Sequence, residues 1–467
     1  MTQPTIKTIS PSTSEVIAER PETTIEQARR IVNDSKNAFL KFNETKLAER
    51  KSIVEKVLRL IDDRKELLGR ELTLQMGRPI AYSTKELDTM HKRAAYLLST
   101  CEDALADIPG QPEAGFTRWV TKQPVGPSLL VFAWNFPYLI IVNSLIPALL
   151  AGNTVILKPS PQTPLVAERL VEIFHDAGLP PTVLQLIHTG SPETLSQIVQ
   201  LPDIALITFT GSTAGGIQLR EATARRIVPV VLELGGNDPA YVRADADLAW
   251  TAAQLVDGAV FNGGQSCCAV ERVYVHADVY AAFVEEVKKE LASYELGDPF
   301  DVTTNVGPVI SAAAAQAIDA QVADALHRGA RDVTPANPSF VSVPQKGSYV
   351  APKILVNVDH SMRVMQEETF GPVIPIAKVA TDEEAVLLMN DSTYGLTASV
   401  WTKDVALGQG IAEKLDAGTV FVNRCDYPSP DLAWTGWKNS GLGCTLGPRA
   451  FDAFFKLKSY HVKDVQA

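Results

Sequence analysis

Two adjacent thiols, Cys267 and Cys268, stand in the stretch FNGGQSCCAVERVYV (261–275), and they are two of only five cysteines in 467 residues. A thiol attacks carbon as its thiolate, and with an ordinary pKa near ~8.5 it needs a base, a helix amino terminus or a cation to do so. A candidate base is Glu233 in LELGG (232–236), a carboxylate closing an apolar run just before two glycines. No histidine lies near either cysteine in sequence. Two further stretches suit phosphate or ribose. FTGSTAGG (209–216) reads as a glycine-rich turn from strand to helix, where backbone N–H groups approach an anion closely, although it lacks the GxGxxG spacing of the common dinucleotide fingerprint. In GNTVILKPSPQTP (152–164), Lys158 ends an apolar strand, the edge of an α/β sheet that opens on a ligand crevice. Each feature has a plain alternative: small buried thiols, a solvated strand-end carboxylate, a tight turn and a surface lysine.

The elements that must position these residues follow from apolar spacing. Residues 44–105 carry apolar side chains three and four apart, from Leu47 to Leu98, which predicts two amphipathic helices broken at Gly77-Arg78-Pro79. From 128 onward short apolar runs (SLLVFA, TVILK, VLQLI, IALITF, VPVVLEL) alternate with helical segments, the pattern of parallel strands with crossover helices. A second series (AYVRA, RVYVHA, PVIPIAKV, SVWT, TVFVN) does the same, so two α/β units meet at Glu233–Gly236.

Bulk properties narrow the function classes. The net charge of −11 comes without a basic cluster, which argues against nucleic acid and anionic membranes as partners and favours small molecules. The amino terminus lacks an apolar leader and no run of about 18 apolar residues occurs, so a cytoplasmic protein is expected. Adjacent cysteines without a second ligand pair do not have zinc-site spacing, and no metal is expected.

Taken together these stretches resemble the aldehyde dehydrogenase family from about residue 10 to the end. The resemblance rests on AWNFP (133–137), Lys158, FTGSTAGG, LELGG, GQSC with Cys267, EETFGPV (367–373) and NSGLG (439–443), in the family's order and spacing. It implies that Cys267 is the nucleophile, that Glu233 activates water and that Asn135 helps to hold an oxyanion. The activity implied is oxidation of an aldehyde to a carboxylic acid through a cysteine thiohemiacetal and thioester, with hydride passing to NAD or NADP. Lys158 and Ser160 would face the adenine ribose, Gly211, Ser212 and Gly216 the pyrophosphate, and Glu368 and Phe370 the nicotinamide ribose and ring. The implied fold is α/β, with a five-stranded Rossmann-like cofactor domain (1–117, 128–233 and 423–449), an α/β catalytic domain (234–422) and a small β oligomerisation arm (118–127 and 450–467). Homodimers or homotetramers are the family habit.

Two departures from the family pattern bear on specificity. Asn143 is neutral where succinic semialdehyde dehydrogenases carry an arginine, and Asp426 near the tunnel wall would repel a carboxylate, although Arg424 could compensate. Tyr138, Ile140, Tyr427 and Trp434 are available as apolar lining, so uncharged aliphatic or aromatic aldehydes are expected; a semialdehyde substrate or a non-redox thiol esterase is the alternative. Pro161 replaces a glutamate that often repels the 2′-phosphate, so NADP is expected to serve at least as well as NAD.

Overall fold

The structure, a computed structural model, describes residues 4–464; the first three residues of the expected cofactor domain, and residues 465–467 of the expected arm, lie outside the described residues. Five strands form a parallel sheet in the order Val230–Glu233, Leu206–Thr210, Ser128–Val131, Val155–Lys158, Leu184–Leu186. The five strands implied are therefore present, and the two-residue strand Gly441–Leu442 adds an antiparallel sixth at the Val230–Glu233 edge. Helices Pro137–Leu150, Pro164–Asp176, Pro192–Ile198 and Thr213–Thr223 connect the strands, and helix Pro137–Leu150 is buried at every residue except Ile140.

Residues 44–105 form three helices rather than two: Leu47–Asp63, Lys65–Met76 and Ile80–Leu105. The second break falls at Arg64, whose backbone leaves the helical region (φ −105°, ψ 6°) while its N–H still bonds Ile61. Apolar spacing continues across a one-residue kink of this kind, so periodicity alone does not reveal it.

The second sheet has seven strands in the order Arg331–Asp332, Lys353–Val356, Val373–Val379, Val270–His276, Asp238–Val242, Thr397–Trp401, Thr419–Val422, parallel except for the first. The chain passes from Glu233 at the carboxyl end of one sheet to Asp238 at the amino end of the other through only four residues. That short connection sets the crevice edge of the first sheet against the loops that enter the second.

A third sheet pairs Phe455–Lys463 with Phe116–Pro124, and Ile108–Pro109 with the latter. Ala450, Phe451 and Phe454, just before that last long strand, are buried in the core that also holds helix Pro137–Leu150. Among the described residues no helix is long and apolar enough to cross a membrane.

Candidate active site

The register of the first sheet aligns the candidate groups. Val131 pairs with Lys158 and Phe209, and Thr210 pairs with Glu233, so lysine, turn and carboxylate share one edge. Ser212 caps helix Thr213–Thr223 by accepting from Gly215 N–H at 3.2 Å, Gly211 N–H bonds the Glu233 carbonyl at 3.1 Å, and Gly216 packs against Leu234.

Cys267 follows a tight turn, Phe261–Gly264, in which Asn262, Gly263 and Gly264 all have positive φ. A Cβ at Gly264 would stand 2.2 Å from the Gly371 carbonyl oxygen, and one at Gly236 would stand 2.5 Å from that of Cys267. Glycine at both positions lets the cysteine loop press against Phe370–Gly371 on one side and the Glu233–Gly236 crossing on the other. Cys267 is half-buried in the wall of a cavity of about 210 Å³, together with Asn135, Glu233, Phe136, Leu139 and Ile140. Cys268 is buried, and its S–H donates to Asp426 Oδ1 at 2.9 Å. Contact with Cys267, burial and Asp426 all hold the Cys268 thiol well above its ordinary value.

Asn135 is buried, and one of its Nδ2 hydrogens reaches the Gln265 carbonyl at 3.3 Å. That bond orients the amide and leaves its second hydrogen for a ligand. Among the described residues the backbone N–H groups of Cys267 and Cys268 make no hydrogen bond. Behind Asn135 stands Arg78, which donates to the Asn135 carbonyl, to Glu86 and, at 3.1 Å, to Asn262 Oδ1, with its guanidinium 4.3 Å from the Phe136 ring centroid. Glu86 in turn accepts from the N–H groups of Tyr138 (2.8 Å) and Leu139 (3.3 Å), fixing the start of helix Pro137–Leu150.

Glu233 lines the same cavity and accepts a hydrogen bond from the Thr445 hydroxyl. Burial raises its pKa, while Thr445 and the nearby Arg93 charge oppose the rise. Glu368 accepts from Gly236 N–H at 3.0 Å, and burial with repulsion from Glu271 and Asp238 pushes it up. Glu271 takes the N–H groups of Thr369 (2.8 Å) and Phe370 (2.7 Å), which fixes the Glu368–Phe370 loop. The Phe370 ring meets Trp134 edge-on at 5.6 Å, and its backbone sits at φ +50°.

A separate groove of about 150 Å³ is lined by Lys158, Gly190, Pro192, Leu195, Phe209 and Gly215. Lys158 is buried without an ion pair among the described residues, and burial lowers its pKa to about 8 against the opposing pull of Glu22. Ser160 Oγ accepts from Gln162 N–H at 3.2 Å and is not part of that lining.

The model of the Aldehyde dehydrogenase family matches residues 1–460. The chain belongs to that family. It is 32% identical over 459 residues to a 3,6-anhydro-alpha-L-galactose dehydrogenase of Streptomyces coelicolor, covering 98% of this chain and 93% of that one. Among solved structures, an E. coli NADP dependent enzyme superposes with a TM-score of 0.94 at 28% identity, over 98% of this chain and 95% of that one. A betaine aldehyde dehydrogenase from Staphylococcus aureus in complex with NAD+ gives 0.93 at 29% identity, over 99% and 92%.

In this aldehyde dehydrogenase the expected lining needs correction. Ile140, Tyr427 and Trp434 face the cavity, but Tyr138 does not: it is fully buried among core side chains, two residues and thus about 200° around the helix from Ile140. Asp426 does not act as a bare repelling charge, because it accepts from Ser266 (3.0 Å) and Cys268 and burial raises its pKa to about 7. Arg424 stacks 3.6 Å over the Tyr427 ring and is not part of the lining. The neutral Asn143 does not leave the wall without a cation either, because Arg93 lines the cavity and donates to Asn143 Oδ1 at 3.1 Å. Sequence reasoning passed over Arg78, Glu86, Arg93, Asn262, Glu271 and Thr445. A usable signal existed for Arg93, which lies on the apolar stripe between Met90 and Leu97.

The groove fits the adenosine end of a nicotinamide dinucleotide: it offers an unpaired buried cation beside an apolar slot of Phe209, Pro192 and Leu195. Position 161, a proline, offers no carboxylate to the groove. A different carboxylate, Glu22, accepts from Gly190 N–H at 2.6 Å and so stands at the groove's rim.

Proposed function

We propose that this enzyme oxidises an aldehyde to a carboxylic acid through a covalent adduct on Cys267. The observation that carries the reading is that Cys267, the more exposed of the two thiols lining the cavity, shares it with Asn135 and Glu233. The Cys267 thiolate adds to the carbonyl carbon, and the resulting oxyanion is held by the free Nδ2 hydrogen of Asn135 and the unused backbone N–H of Cys267. When bound, oxidised nicotinamide supplies the acceptor for the hydride. Glu233, charged above its raised pKa, then takes a proton from the water that hydrolyses the Cys267 thioester.

Lys158 and Ser160 would hold the adenine ribose, Gly211, Ser212 and Gly216 the pyrophosphate at the helix amino terminus, and Glu368 and Phe370 the nicotinamide ribose and ring. Both cofactors serve, and NADP serves at least as well as NAD, because position 161 carries no repelling carboxylate; Glu22 is the remaining opponent of a 2′-phosphate. The cofactor unit, the catalytic unit after Glu233 and the strand arm ending at Lys463 divide this work, with the exposed Leu457 and Val462 of the arm joining copies into a homo-oligomer.

The test is formation of reduced nicotinamide from aldehyde with either cofactor. Cys267→Ala abolishes that turnover and Cys268→Ala retains it. Ester hydrolysis by Cys267 with no reduced nicotinamide from any aldehyde, or a dead Cys268→Ala beside an active Cys267→Ala, overturns the reading.

A further inference from the structure

Two arginines line the cavity that holds Cys267, and their surroundings differ. Arg78 is answered on every side by Glu86, Asn262, the Asn135 carbonyl and the Phe136 ring. Arg93 is equally buried, yet Nη1 bonds only the neutral Asn143, Nε is sealed from solvent without a partner, and no ion pair forms among the described residues. Nη2 makes no hydrogen bond and is not sealed, so it is the donor left for a carboxylate in the cavity.

A helix-to-helix contact does not require this arrangement. Burying a guanidinium without an ion pair, with only the nearby charge of Glu233 to offset it, is costly, and an apolar pair would join the same helices more cheaply. The carboxylates around the cavity are already engaged: Glu86 with Arg78, Glu233 with Thr445, Asp426 with Ser266 and Cys268. The missing partner is therefore one that enters the cavity.

We propose that Arg93, held by Asn143, is the binding point for a carboxylate carried by the substrate, so that the preferred substrates are short aldehyde acids. This rests on the reading of Cys267 as nucleophile. The cavity suits it: about 210 Å³ is below the ~300–1,000 Å³ of sites that take drug-sized ligands, and the walls of Phe136, Leu139, Ile140, Phe261 and Trp434 match a methylene spacer.

The experiment compares specificity constants for 4-oxobutanoate and its methyl ester, which differ in charge but not in the reacting aldehyde. Wild type favours the acid by about tenfold or more. Arg93→Gln lowers the acid-to-ester ratio by about ten- to a hundredfold, chiefly through KM for the acid, and Arg93→Lys recovers part of it. Equal or better use of the ester by wild type, or an unchanged ratio in Arg93→Gln, overturns the proposal while leaving Cys267 in place. Calorimetric binding of butanedioate needs no turnover. Tighter binding than of its dimethyl ester supports the subsite even if the Cys267 reading fails, and equal binding overturns it if Arg93→Gln does not fold.

Discussion

Around Asn135, Asn262 and Gln265 the cavity floor is a closed set of hydrogen bonds anchored by Arg78 and Glu86, whereas Arg93 in the wall and Lys158 in the groove are cations with few or no partners in the chain. Apart from the second Nδ2 hydrogen of Asn135, the floor is finished before any ligand arrives. The wall and groove are completed by what binds. In one site, burial with full satisfaction marks parts that hold geometry, and burial without it marks parts that recognise a ligand.

The largest effect comes from breaking the floor. Arg78→Leu leaves Glu86 as an uncompensated buried carboxylate and lowers stability by about 3–5 kcal/mol, read from the urea midpoint; removing both partners in Arg78→Met/Glu86→Leu recovers much of it. Asn135→Ala keeps the fold but removes an oxyanion donor, so kcat falls by about 10²–10³, or ~3–4 kcal/mol, in steady-state assays.

The pH profile sharpens the comparison next. Burial holds Glu233 above the ordinary glutamate value near ~4.3, so the base loses its charge, and deacylation slows, as pH falls through that raised value. Thr445 donates to the charged form, so Thr445→Val moves the acidic limb to higher pH, and Glu233→Gln removes the limb. The smallest effect lies in the groove. Pro161→Glu shifts the ratio of cofactor specificity constants toward NAD by about tenfold and Glu22→Gln shifts it toward NADP by less; wild-type preference for NAD above about tenfold removes position 161 as the determinant.

What could be read in the sequence divides along the same line. Cys267, Glu233 and Lys158 sit beside short local signals, a glycine pair or a strand end, and both sheets follow from runs of four to seven apolar residues. The floor was opaque because its bonds join residues 57 and 184 positions apart, as Arg78 does with Asn135 and Asn262. Naming both Tyr138 and Ile140 as lining ignored helical geometry, which turns them to different faces. Asn143 was judged by its own neutrality, although a side chain at a helix contact takes its electrical character from whatever faces it, here Arg93.

The strand at Gly441–Leu442 carries a consequence for how the protein is made. It pairs with Val230–Glu233, the Ser440 carbonyl accepts from Leu234 N–H, and Thr445 reaches Glu233 across 212 positions. Thiol, amide and carboxylate are all translated well before those residues leave the ribosome. Until they do, the Glu233 strand has a bare edge and its carboxylate lacks the Thr445 hydroxyl. The emerging chain thus carries its nucleophile long before its base is in order, and competence for the full reaction arrives only once residues 440–445 have emerged.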